Sequence, residues 1–141
     1  MNPYNQTETG VRRTAAVLAG LAVVVILSSV TDGVMHACGV FPAMGQPMTT
    51  GLWVLAVSYR FAFTLLGGWV AGRLDPGRTM RAVWILTGLG VALGLLGVGV
   101  SLSHPELGPA WYAWAVALNG PPASWLGGRI FVHSLNRTEA P

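Results

Sequence analysis

Lysine is absent from this 141-residue chain, and charged side chains of every kind make up only 9% of it. A soluble domain is about a quarter charged, so a water-facing surface could not be covered here. The lone cysteine, Cys38, excludes an internal disulfide and a cysteine-based metal cluster within one chain. Internal repeats, low-complexity segments and strand-like alternation are also missing. The sequence holds no nucleophile–base arrangement, HExxH motif, phosphate loop or carboxylate pair. Of the five acidic residues, Asp75 and Glu106 fall in connectors and Glu8 and Glu139 in tails. An enzyme would have to use Asp32, His36 or His104 as its acid–base group, and capping or packing suits all three better. No enzymatic activity and no cofactor are expected.

What the chain has in excess is apolar surface, at 52% of its residues. A membrane span needs about 20 mainly apolar residues, and four windows qualify: 14–34, 51–74, 80–102 and 109–132. The expected fold is all-α, a single domain over residues 1–141 built as a four-transmembrane-helix bundle. An outer connector covers residues 33–49. All eight basic residues are arginine. Arg12 and Arg13 precede the first span, Arg73, Arg78 and Arg81 flank the second connector, and Arg129 and Arg137 follow the fourth span. The positive-inside rule then places both termini and the second connector in the cytoplasm. Trp53, Trp111, Tyr112 and Trp114 would mark the outer interface, and Trp69, Trp84 and Trp125 the inner one. The net charge of +3 does not point to nucleic acid, because the arginines sit at the ends of apolar runs rather than on one patch. A cleaved signal peptide around Arg12-Arg13 is the competing reading of the N-terminus. Its apolar run is longer than the usual 7–15 residues, about, and no A-x-A site follows.

Helices in lipid come together through small residues. Gly90, Gly94 and Gly97, with Ser101, recur on one face of the third span. Gly67, Gly68, Ala71 and Gly72 lie near the inner end of the second, and Ala15, Ala16, Ala19 and Gly20 on the first. Packing within one bundle is the first reading, and homo-oligomerisation through the third span is the second.

Arg60 falls about 10 Å into the hydrocarbon if Trp53 marks the interface. An unpaired charge there costs a few kcal/mol, roughly. Thr64 and Ala56 share its helix face, so it should point into the bundle. Two sets of partners are expected. Asp32 ends the first span, unless it caps a short helix starting at Gly33. In the fourth span, Pro121 and Pro122 remove hydrogen bonds to the carbonyls of Ala117 and Leu118. This would kink the helix and leave those carbonyls, with Asn119, to accept from the guanidinium. Such a cluster either locks helices together or lines a small anion or solute pathway. The outer connector is too broken by glycine and proline for a span. It carries Met35, His36, Cys38, Met44 and Met48, weak candidate ligands for a soft metal, though their spacing matches no regular site. His36 and His104 could also ligate a haem, but nothing else supports that reading.

Thr31-Asp32-x-x-x-His36-x-x-Gly39-Val40-Phe41-Pro42, with Gly45-Gln46-Pro47-Met48, resembles the outer loop of a group of small bacterial four-span membrane proteins without an assigned activity. Tyr59-Arg60, Ala71-Gly72-Arg73-Leu74-x-Pro76, Leu107-Gly108-Pro109-x-Trp111-Tyr112 and Trp125-Leu126-Gly127-Gly128-Arg129 carry the resemblance over nearly the whole chain. Pro121-Pro122 departs from it. The resemblance implies a bacterial cytoplasmic (inner) membrane and a four-span topology, and implies no substrate. The expected role is that of a non-enzymatic accessory or self-assembling membrane component, with the lipid bilayer and a second copy of the chain as partners. The alternatives are an oligomeric small-solute or anion transporter and a metal or redox membrane protein.

Overall fold

The computed structural model describes residues 3–43, 46–75 and 79–138. Four long helices follow one another: α1 (Pro3–Ala37), α2 (Thr50–Leu74), α3 (Thr79–Ser103) and α4 (Ala110–Thr138). A single 3-10 turn, Pro105–Leu107, joins the last two. The fold is an all-α bundle. Three segments, Glu8–Ala37, Thr50–Leu74 and Met80–Ser103, are long and apolar enough to cross a membrane. At 1.5 Å per residue, α2 covers about 37 Å, more than the ~30 Å of a hydrocarbon core. Large apolar side chains point outward along these helices, among them Ile26, Val54, Leu95 and Leu96. Facing water, each would forfeit the roughly 1.5–3 kcal/mol that burying such a side chain gains; facing lipid, it forfeits nothing. The chain is a polytopic helical membrane protein.

The first helix is longer than its apolar run implies. It continues past Val34 to Ala37 and stops where Gly39 takes φ 72°, a left-handed conformation that ends helices at little cost in glycine. The amide of Cys38 bonds to the carbonyl of Val34 at 2.9 Å, and that of Phe41 to Met35 at 3.0 Å, which turns the chain back. Asp32 therefore lies within α1 and does not cap a helix beginning at Gly33. Ala16 and Val17 are buried in a core with Ala71, Ala82 and Leu86, so the N-terminal apolar segment is an integral part of the bundle.

Packing is uneven. α2 lies closely against α1 and α4, and α3 against α4, whereas α1 and α3 touch much less. The tight crossings use glycine. A Cβ on Gly20 of α1 would stand 2.7 Å from the Gly67 carbonyl oxygen of α2, and one on Gly67 the same distance from the Gly20 oxygen. Between α2 and α4 the approach is closer, since a Cβ on Gly68 would overlap the Ser124 backbone and one on Gly127 the Leu65 carbonyl. Gly72 is buried on the same helix. The expected glycine face of α3 behaves differently. Gly94 meets Ala117 of α4, but a Cβ on Gly90 or Gly97 would find nothing within 4 Å. Spacing puts the three on one face; the slight packing of α1 against α3 leaves two of them facing open space.

Candidate functional site

The polar residues of the bundle gather near the end opposite Arg13 and Asp75. Asp32, late in α1, stands at the seam with α2, where two successive residues reach it. The Tyr59 hydroxyl donates to Oδ1, and Nη2 of Arg60 donates to Oδ2 in an ion pair. A carboxylate near a helix C-terminus opposes the local dipole, and the guanidinium offsets it. Arg60 Cζ also lies 5.8 Å from the Tyr59 ring centre and 5.6 Å from that of Tyr112, within cation–π range. Tyr112, at the start of α4, in turn meets Trp53 in a tilted ring contact, with centres 4.5 Å apart. Three helices thus meet around one charge pair.

Asn119 is placed otherwise than expected. Its side-chain amide donates to the Val57 carbonyl at 3.5 Å and is not a partner of Arg60. Pro121 and Pro122 lie inside α4, which continues past them to Thr138. Close to them, Ser124 donates to the carbonyls of Gly120 and Pro121 at 2.9 and 3.2 Å. The Ser124 hydroxyl also lies 2.7 Å from that of Thr87 on α3, a buried polar contact between two helices. Thr64 spends its hydroxyl on the Arg60 carbonyl one turn back, at 2.8 Å.

The connector folds over this end. Phe41 is 4% exposed, and its ring meets that of His36 edge-on, with centres 5.5 Å apart. His36 Nδ1 lies 2.8 Å from the Pro42 carbonyl. A carbonyl can only accept, so Nδ1 carries the proton and Nε2 is left free. Beneath this roof is a cavity of about 320 Å³, lined by Asp32, His36, Met48, Trp53, Tyr59, Arg60, Glu106 and Tyr112, among others. His104 is bonded to Glu106 at 2.9 Å, and both are exposed.

A second cavity, of about 520 Å³, runs down between α1 and α3 and is walled by Leu21, Val24, Gly90, Gly94, Gly97 and Ser124 among others. Arg60, Leu107 and Tyr112 line both spaces and form the partition between them.

No protein-family model, curated protein or solved structure matches the chain. The chemistry of the site therefore has to be judged from its own groups. Both Asp32 oxygens are engaged, which leaves it a poor base. Among the described residues, no three His, Cys, Asp or Glu side chains are grouped to hold a metal ion. Of the candidate soft ligands, His36 and Met48 line the upper cavity. Cys38 is exposed, Met35 lies on α1, and Met44 is outside the described residues. The arrangement holds helices together and presents donors.

Three features escape a reading of the sequence. Tyr59 is the second donor to Asp32; an apolar span offers a phenol no water, so it needed an acceptor. Thr87 and Ser124 meet across α3 and α4, although each also has a backbone carbonyl of its own helix within reach, Val83 for Thr87 and Gly120 for Ser124. At the opposite end, Arg13 Nε bonds to Asp75 Oδ2 at 3.2 Å, and Asp75 is 7% exposed. By sequence Arg13 is a topology signal and Asp75 a connector residue, and neither position announces the other. Arg13 Nη2 is buried with no hydrogen-bond partner among the described residues.

Proposed function

We propose that the chain is a four-span protein of the bacterial inner membrane, with both termini cytoplasmic, serving as a non-enzymatic accessory component. The fourth span rests on α4. Its 29 residues reach about 43 Å. Its outward side chains are Leu118, Trp125, Leu126 and Ile130, while Ala117, Ala123 and Ser124 are turned in. Polar groups dilute its apolar composition, but they are spent inside the bundle. Arginines at the end holding Arg13 and Arg73 assign that end to the cytoplasm. The resemblance to small bacterial four-span proteins supports the inner membrane.

The observation carrying the accessory role is that the intramembrane carboxylate, phenol and hydroxyls are spent on pairing within the bundle. Asp32, Tyr59 and Arg60 form one set and Thr87 and Ser124 another. A transport pathway is the second reading, favoured by the way Arg60 and Tyr112 separate two cavities. Proteoliposomes distinguish the two. An accessory protein gives no efflux of small anions above that of empty vesicles. Efflux that depends on protein and is abolished by Arg60→Gln would overturn it in favour of transport. Reporter fusions after Pro141 and after Gln46 test the topology, and an external C-terminus refutes it.

A further inference from the structure

We propose that the cleft between α1 and α3 holds one anionic phospholipid, its acyl chain along the glycines of α3 and its phosphate at Arg60. The inference requires the membrane placement but not the structural role of the polar cluster. The cleft is half-open, and its rim residues Val25, Leu93 and Val100 are each about half exposed, at 52, 51 and 51%. A span of lipid-facing helix has no reason to be concave, because close packing is the general state of protein interiors. Here the concavity is maintained by residues that lack a side chain, Gly90 and Gly97.

The cleft offers about 520 Å³, within the span of small-ligand pockets. One acyl chain is thin and flexible enough to enter it while the lipid's other chain stays in the bilayer; a helix, at least about 10 Å across, could only lie over its mouth. Asp32 already balances the charge of Arg60, so the head group is decided by the hydrogen-bond donors left over. Arg60 is the one charged side chain on the wall. A guanidinium has five N–H donors, and among the described residues only one of them has a carboxylate acceptor, itself shared with Tyr59. The remaining donors lie where the cleft adjoins the upper cavity, with the Ser101 hydroxyl on the cleft wall. A phosphate with a chain below it satisfies both halves of the site, since guanidinium binds phosphate oxygens through short charge-assisted bonds.

The test uses the full chain reconstituted in bilayers of phosphatidylglycerol and phosphatidylethanolamine, released into mild detergent and weighed intact with its retained lipid. The expected result is one retained lipid per chain, with phosphatidylglycerol favoured about ten-fold. Gly90→Leu and Gly97→Leu fill the cleft and abolish retention. Gly88→Leu and Gly99→Leu also have open space for a Cβ but do not line the cleft, and they keep it. Arg60→Gln removes the preference for phosphatidylglycerol, and Arg60→Lys preserves it. Retention unchanged by Gly90→Leu, or equal for the two lipids, overturns the proposal. So does a switch from dimer to monomer in the glycine variants with no loss of lipid, which would make the cleft an interface between copies. Protein-dependent anion efflux with lipid still retained would remove the accessory reading alone.

Discussion

Replacing Gly20 by alanine should destabilise the bundle, whereas the same change at Gly90 should not. A Cβ at Gly20 meets the Gly67 carbonyl oxygen at 2.7 Å and the Ala71 and Leu86 side chains at 3.0 Å each. Ordinary contact begins near 3.4 Å, so α1 must retreat from α2 by about 0.7 Å, a distance over which dispersion attraction falls off sharply. The Leu86 methyl can swing aside; a helical carbonyl cannot. α2 cannot yield either, because Gly68 and Gly127 already seat it against α4. Overpacking of this kind costs about 1–3 kcal/mol. The intrinsic helix preference of alanine over glycine returns about 1 kcal/mol, leaving a net loss of roughly 0–2 kcal/mol against a gain of about 1 kcal/mol where the Cβ is unopposed. Gly90→Ala keeps that preference and meets nothing within 4 Å, so it should be neutral or slightly stabilising. Because Gly67→Ala strains the same crossing, the Gly20→Ala/Gly67→Ala pair should cost less than the sum of the two, as a single retreat of α1 accommodates both. Unfolding in mixed micelles of rising dodecyl sulfate content can be followed by the fluorescence of Trp69, whose ring lies 6.1 Å from that of Phe131. If Gly20→Ala proves as stable as Gly90→Ala, the glycine crossing is not what holds α1 in place.

The ion pairs make two further predictions in the same unfolding assay. Asp32→Asn and Arg60→Gln should each cost about 1–3 kcal/mol, between the values for exposed and buried pairs, since these side chains are 30% and 25% exposed. The double variant should cost less than the sum, and strict additivity would mean the two do not act as a pair. Asp75→Asn should destabilise through the charge left on Arg13, by roughly 1–3 kcal/mol. Adding Arg13→Gln to it should restore part of the loss, and no recovery would refute the pairing.

The bundle was legible in the sequence because lipid imposes simple rules on composition. Long apolar runs bounded by arginines leave few other folds, and three of the four helices meet the requirements of a span by length and composition. α4 is harder to read for a physical reason: Asn119, Ser124 and two prolines lower its apolar content, although Ser124 is buried and Asn119 and Pro121 are partly so. Arg60 and Asp32 stood out because each is expensive alone in hydrocarbon, and the structure brings them together. Asn119 bonds the Val57 carbonyl rather than Arg60. Depth in the membrane is readable from residue counting, but the rotation of α4 about its axis is not. The α3 glycines show the same limit. Their spacing defines a face, and only the placement of α1 decides whether that face is packed or empty. Gly127 and Gly68 depend on a crossing between two helices, which neither helix encodes by itself.

The position of the empty face follows from how α1 is fastened. Arg13 bonds Asp75, Gly20 lies against Gly67, and Asp32 takes bonds from Tyr59 and Arg60. Moving up α1 from one fastening to the next is matched by moving back along α2, as an antiparallel pair requires. α1 is thus fixed to α2 at its arginine end, near its middle and close to its far end. Against α3 it has the apolar contact of Ala16 and Val17 with Ala82 and Leu86 near the arginine end. Beyond that the two helices are free to part, and α3 is held instead to α4 by Gly94 on Ala117 and Thr87 on Ser124. A bundle fastened as two pairs, joined through α2 and α4, must open along the remaining seam. That seam begins above the Leu86 core and ends at Arg60, so the geometry that secures α1 also sets the length of the cleft and puts a cation at its head.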